Sequence, residues 1–211
     1  MHAPTHPQTV RAARTEFFRT NGFPPDGGYG DVDAEAAFGV LTYRVPNPPA
    51  RAAALRLHDL HHVVTDYPTD WRGEAQISAW ELASGFGVQP WAWMIMLWGM
   101  FTGLVLAPAD TVRAFLRGRH SRNLYGAGLT PRLLDQPVGQ LRRQLRVIPP
   151  ERSPWFGRSV RQRARDVAAL MGWSSAALAY GAVGLLPSLA LVAYAALSRI
   201  TPCLFDCSQP T

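Results

Sequence analysis

Residues 49–65 read Pro-Ala-Arg-Ala-Ala-Ala-Leu-Arg-Leu-His-Asp-Leu-His-His-Val-Val-Thr. From Ala50 to Thr65 the stretch is Ala-rich, with Leu55, Leu57, Leu60 and Val64 as its large apolar residues. That composition predicts a helix, and Pro49 suits the first helical position, where a missing N–H costs nothing. Pro46-Asn47-Pro48-Pro49 stops the chain before it. After it, Tyr67-Pro68-Thr69-Asp70 makes a break that ends on an N-cap residue, so a second helix is predicted over Trp71–Ser84.

The same reading extends in both directions. Thr9 to Arg19 predicts a short helix, closed by Asn21-Gly22 and by Pro24-Pro25-Asp26-Gly27-Gly28. Asp31 to Tyr43 is ambiguous. Gly85-Phe86-Gly87 breaks the chain before an apolar run, Trp91 to Ala107. Asp110 to Arg119 is an amphipathic helix carrying Arg, Ser121 to Thr130 is loop-like, and Pro131 to Val147 forms one or two short helices. With no repeat and little strand alternation, the fold is expected to be all-α. Residues 1–150 are expected to form one helical domain. Residues 151–211 would be an Arg-rich linker with a hydrophobic C-terminal helix or hairpin.

Composition narrows the function classes. The chain has 211 residues, 47% hydrophobic and 17% charged, which suits one domain with a sizeable core. It is neither a disordered polyampholyte nor a disulfide-dense scaffold. The net charge of +6 is built wholly from Arg, with no Lys. It is unevenly placed: residues 1–110 hold seven Arg and eleven acids, whereas residues 111–165 hold thirteen Arg and two acids. The basic stretch contains no RNA-binding aromatic motif, zinc finger or basic zipper, so nucleic acid is not the expected partner. Solvated helix faces and anionic lipid head groups remain as readings. Residues 1–20 contain no apolar core of a signal peptide, which predicts a cytoplasmic body.

Half of the six histidines fall in His58-Asp59-Leu60-His61-His62. On a helix His58 and His62 lie about 40° apart, with Asp59 about 60° beyond His62. Such convergence is what a divalent metal requires, since it needs several N and O ligands around one centre. His61 falls about 100° from His62 and is left out of the ligand set. Glu74, early in the following helix, is the nearest further ligand, because the turn at residues 67–70 can fold that helix back. Glu81 lies two turns on, about 20° from Glu74 on the same face, as an outer alternative. Plainer readings stand beside these: a first-turn carboxylate complements the helix dipole, and so do cationic histidines near a helix C-terminus.

The spacing His58-Asp59-x-x-His62, eleven residues, Glu74 resembles the HDxxH-x11-E signature of the Coq-four family of ubiquinone (coenzyme Q) biosynthesis proteins. Leu57, Val63-Val64-Thr65, Thr69-Asp70-x-x-Gly73-Glu74 and Ala79-Trp80-Glu81-Leu82 agree with it. Ala114-Phe115-x-x-Gly118-Arg119 and Leu141-Arg142-Arg143-Gln144-Leu145-Arg146-Val147 agree more weakly, with Gln144 in place of an acid. Asp66-Tyr67 stands where many relatives carry Gly. The likeness covers about Ala13 to Pro149.

The resemblance implies a helical bundle and a divalent metal, taken as zinc, held by His58, Asp59, His62 and Glu74. It also implies a cavity for a polyprenyl quinone precursor and association with a membrane surface and other quinone-biosynthesis proteins. A second copy of the chain is a further expected partner. The reaction linked to the family replaces the ring C1 carboxyl of a prenylated 4-hydroxybenzoate by hydroxyl. Two alternatives stay open. One is a lipid-binding scaffold whose metal site is structural, and the other a metal-dependent hydrolase with Glu81 as general base.

The apolar run Trp91–Ala107 reads as the central core helix of a bundle, which a polyprenyl cavity would also use. Val167 to Ser198 is a 32-residue stretch without a charge, enough for one membrane crossing. Nine Arg lie between Arg132 and Arg165, and only Arg199 follows. The bias places the body on the cytoplasmic side of the inner membrane, with residues 167–198 as anchor. The competing reading is a helical hairpin broken near Gly184–Pro187. With the anchor reading, Cys203 and Cys207 would face an oxidising compartment, where a disulfide is permissible.

Overall fold

The computed structural model describes residues 7–38, 41–85, 90–149 and 151–205. Helix α1 (Val10–Thr20) starts at Thr9, whose hydroxyl accepts from the Ala12 N–H. The backbone of Thr9 pairs with Pro137, so the start of α1 is tied to the far end of the domain. The segment left ambiguous above is an antiparallel hairpin, β1 (Asp33–Phe38) and β2 (Leu41–Pro46), in the register Asp33↔Pro46 to Phe38↔Leu41. Its first strand, Asp-Ala-Glu-Ala-Ala-Phe, has no large apolar residue on alternate positions, which is why the pattern did not announce it.

Helices α2 (Pro49–Thr65) and α3 (Trp71–Ser84) follow as expected. Pro49 occupies the first turn of α2. Asp66 ends it in the left-handed region at φ 63°, with its N–H on the His62 carbonyl. Asp70 caps α3 by accepting from the Gly73 N–H. Then come α4 (Pro90–Leu106), α5 (Pro108–Gly118), α6 (Pro131–Asp135), α7 (Val138–Gln144) and α8 (Val160–Phe205). Eight helices and one hairpin among the described residues make the all-α class the observed one.

Helix α3 sits at the centre, packed on α4 and α5. Leu57, Leu60 and Val64 of α2 join Ala79 and Leu82 of α3, Met96 and Met100 of α4 and Phe115 of α5 in one core. Burying each of the larger side chains contributes roughly 1.5–3 kcal/mol. Close approach of α4 to α3 depends on small residues. A Cβ on Gly99 would lie 2.1 Å from the Ser78 hydroxyl, and one on Gly103 would lie 2.7 Å from Ala75. Buried Arg117 of α5 fastens the end of α2, with both terminal nitrogens donating to the Thr65 carbonyl at 3.1 Å.

The apolar run is thus a core helix, one side on α3 and the other on α8. Trp93 meets Trp173 with ring centroids 5.5 Å apart, and Gly181 faces the Phe101 ring. Both pairs carry the same offset in number, so α4 and α8 run side by side in the same direction. Buried Asp166 anchors the start of α8 between Arg119 and Arg158, each Nε at 3.0 Å. Helix α8 continues unbroken through Gly184 and Pro187, so a single helix replaces the hairpin alternative, and it begins inside the Arg-rich segment expected to be linker. Cys207, and with it the permissible Cys203–Cys207 disulfide, lies outside the described residues, as do Pro150, most of the Gly85–Gly87 break and residues 1–6.

Candidate metal centre

The turn at residues 66–70 folds α3 back along α2, which brings Glu74 and Glu81 against the histidine face of α2. His58 and His62, one turn apart, point their Nε2 atoms at each other at 3.2 Å. The Glu74 carboxylate spans the pair, with Oε2 3.2 Å from His58 Nε2 and Oε1 3.3 Å from His62 Nε2. Both histidines are buried, while the Glu74 side chain is 42% exposed, so the group opens toward solvent on the Glu74 side.

The remaining ring nitrogens also face acceptors. His62 Nδ1–H donates to the Tyr67 carbonyl at 2.9 Å. His58 Nδ1–H donates to the Glu81 carboxylate, 3.0 and 3.1 Å from its two oxygens. In a neutral ring with its proton on Nδ1, Nε2 directs a lone pair into the gap; a protonated ring instead donates from Nε2 to Glu74. Two facing lone pairs at this distance repel unless a proton or a cation lies between them. In a tetrahedral zinc site with Zn–N of 2.0–2.1 Å, ligand atoms stand about 3.3–3.4 Å apart. His58, His62 and Glu74 offer ligand atoms that all lie within 4.8 Å of one another, so the donor set fits a divalent metal.

The charges agree with this arrangement. Burial opposes ionisation of Glu74, yet hydrogen bonds from His58 and His62 hold its pKa down at about 2. Burial likewise disfavours a cationic His58, but Glu81 and Glu74 outweigh it and raise the His58 pKa well above the ordinary imidazole value. The two carboxylates thus favour positive charge at His58, as they would favour a cation in the gap.

Asp59 stands apart from the three-residue group. Its Oδ2 accepts from the Tyr29 hydroxyl, and burial raises its pKa despite the nearby His58. Tyr29 comes from the loop after α1, and the Arg56 guanidinium lies 5.2 Å from its ring centroid. From α1, Phe17 stacks on His62 at 5.6 Å between centroids.

His61, outside the metal group as its helical angle predicts, is fully buried and takes part in a second layer. Its Nε2 accepts from the Leu124 backbone N–H at 2.9 Å, and its Nδ1–H donates to Glu81 Oε1 at 2.5 Å. The Tyr125 hydroxyl donates to the same oxygen at 3.1 Å. Glu81 is sealed from solvent, and although burial resists its charge, the His58 and His61 donors hold its pKa well below the carboxylate range. A general base needs access to a substrate or a water. Glu81 is instead fully buried and engaged by three side-chain donors. Tyr29, Tyr125 and the Tyr67 carbonyl had no sequence signal, since nothing in local spacing links them to the His cluster.

Among the described residues, cavities of about 220 and 430 Å³ lie elsewhere. One is lined by Val64, Asp66, Arg117 and Arg142, the other by Val112, Arg113, Leu116 and Trp155. Neither is lined by a residue of the histidine cluster. Scans against protein-family models, curated proteins and solved structures each return no match.

Proposed function

We propose that the protein is a metal-dependent member of the Coq-four family, acting in quinone biosynthesis at a membrane surface. The observation that carries the reading is the pair of Nε2 atoms of His58 and His62, 3.2 Å apart and bridged by Glu74, at the spacing of the HDxxH-x11-E signature. Zinc is the metal proposed, and three protein ligands with a solvent-facing side leave a position for substrate. Bound there, it would act as a Lewis acid on a carboxylate or an oxygen species.

The substrate class proposed is a prenylated 4-hydroxybenzoate. Replacing its ring carboxyl by hydroxyl releases CO2 and removes two electrons, so a dioxygen-class oxidant belongs to the proposal. The chain's own part is to orient. Tyr67 and Glu81 hold the two imidazoles, and Phe17 covers the His62 ring. The half-buried Tyr29–Asp59 pair holds a proton beside the site.

Helix α8 supports a membrane address. Val160–Leu185 is long and apolar enough to cross a bilayer. Val160, Val167, Met171, Leu178 and Leu185 are all exposed, and they fall within about 20° of one line along the helix. Arg161, Arg163 and Arg165 precede the apolar part and are exposed, as suits anionic head groups on the cytoplasmic side. Other pathway proteins and a second copy of the chain are the protein partners proposed.

A scaffold with a structural metal is the second reading, favoured by the separation of both cavities from the cluster. The deciding experiment extracts quinones and precursors from a deletion strain complemented with wild type or His62→Ala. Accumulation of a prenylated 4-hydroxybenzoate in the deletion strain and with His62→Ala supports catalysis. An unchanged quinone profile in the deletion strain overturns the pathway assignment.

A further inference from the structure

We propose that Glu81 is the positioning residue of the metal centre, locked by His61 and Tyr125, and that it acts through His58 without touching the metal. The proposal rests on the metal reading above and adds residues to it that lie outside the HDxxH-x11-E signature.

Its starting point is a backbone group. The Leu124 N–H can only donate, so His61 Nε2 must accept and carry no proton. His61 then carries its proton on Nδ1, which is aimed at Glu81 Oε1. Turning the ring over would face one donor with another. The Glu81 carboxylate, receiving His61 and the Tyr125 hydroxyl at Oε1, also receives His58 Nδ1–H, which lies 3.0 and 3.1 Å from its two oxygens. His58 consequently has only Nε2 to present to His62 and Glu74. A chain of donors running from a main-chain amide thus selects the metal-facing nitrogen.

Cost and sequence spacing both fit this role. A fully buried carboxylate is expensive unless several donors satisfy it, and here three side-chain donors converge on it. His58 and His61 lie one turn apart on α2, while Glu74 and Glu81 lie two turns apart on α3. One helix pair therefore sets the ligands at one level and their support at the next. A carboxylate behind a ligating imidazole also raises its basicity, and losing such a partner typically weakens metal binding about 10–100-fold.

The experiment measures zinc affinity by chelator competition and the visible spectrum of the cobalt-substituted protein, for wild type and Glu81→Gln. Expected are about 10–100-fold weaker zinc binding and shifted cobalt bands in the variant. Zinc affinity and cobalt spectrum equal to wild type overturn the proposal. Should Glu81→Gln fail to fold, histidine ¹⁵N spectra of zinc-loaded wild type decide. The expected pattern is His58 bound through Nε2 with a downfield Nδ1 proton, and His61 neutral with its proton on Nδ1. Metal on His58 Nδ1, or a His61 proton on Nε2, overturns it. A wild type that takes up no zinc sinks the metal reading itself and this proposal with it, an outcome distinct from a variant that binds as well as wild type.

Discussion

His58 Nε2 and His62 Nε2 face each other at 3.2 Å, with the opposite nitrogen of each ring donating to a fixed acceptor. With both rings neutral and protonated on Nδ1, two lone pairs would face each other at an electrostatic cost, which a proton or a metal cation between them relieves. The consequences for metal binding differ sharply among the four residues of the signature.

His62→Ala removes a ligand atom and is expected to weaken zinc binding more than about 100-fold, beyond the range typical of supporting residues. Asp59→Asn should stay within about tenfold of wild type, because the Asp59 oxygen is engaged by Tyr29 and the residue lies outside the converging group. Zinc content of the purified proteins, read by elemental analysis and chelator competition, checks both. Loss of zinc from Asp59→Asn equal to that from His62→Ala would show that Asp59 is a ligand.

Acid stability of the metal-free protein follows from Glu74 and Glu81. Both carboxyl groups are depressed in the folded state, Glu74 to about 2 from 4.5. A depressed carboxyl stabilises the fold above its unfolded pKa and loses that contribution as pH falls through the folded value. The urea midpoint should therefore decline as pH drops from about 4.5 to 2. His58, raised by its acidic neighbours, adds the opposite limb: its contribution is complete below 6.5 and fades as pH climbs through its folded value. Urea titrations across pH test this, and Glu74→Gln should flatten the acid limb. An acid limb of equal slope in that variant would refute the assignment to Glu74.

The α2–α3 pair was legible because its signals are local: Pro49 at a helix start, Asp70 as a cap, and His58 and His62 at one-turn spacing. The angle that excluded His61 from the metal group was sound, yet it gave no hint of what His61 does. Its partners, Leu124 and Glu81, come from a loop and a helix far along the chain. Asp59 shows the converse limit, since a helical wheel sees α2 alone and cannot see Tyr29 arriving from the loop before β1. The C-terminal stretch is the single apolar helix its uncharged length predicts, and only the hairpin alternative falls. Gly184 and Pro187 read as breakers, but α8 runs through both as one helix, resting on α4 where Gly181 meets Phe101.

Gly73→Ala tests how tightly Glu74 is placed. A Cβ at position 73 would lie 1.9 Å from the Pro68 carbonyl oxygen, and that backbone cannot step aside without moving the turn between α2 and α3. Overpacking of this kind costs about 1–3 kcal/mol, to be read from the urea midpoint. Because Glu74 is the next residue, zinc affinity should fall together with stability. A variant as stable as wild type would mean that the turn yields freely and does not fix the carboxylate.

Membrane binding can be separated from folding on the outer face of α8. Met171 and Leu178 are exposed, face away from α4 and have no role in the core, so replacing both by Asp should leave the thermal midpoint close to wild type. Surface substitutions usually stay within about 0.5 kcal/mol. Each carboxylate would, however, meet hydrocarbon if this face lies against lipid, a placement that costs on the order of 2.5–3.5 kcal/mol at the centre of a bilayer. Flotation of the full chain with vesicles containing anionic phospholipid should recover wild type in the lipid fraction and lose most of the Met171→Asp, Leu178→Asp double variant. Replacing Arg161, Arg163 and Arg165 by Gln should weaken flotation more at low salt than at high salt, since screening already removes their attraction there. Equal flotation of wild type and the double variant would place the lipid contact elsewhere. A wild type that stays in the soluble fraction and sediments as a dimer, with the double variant monomeric, would assign the face to a second copy of the chain.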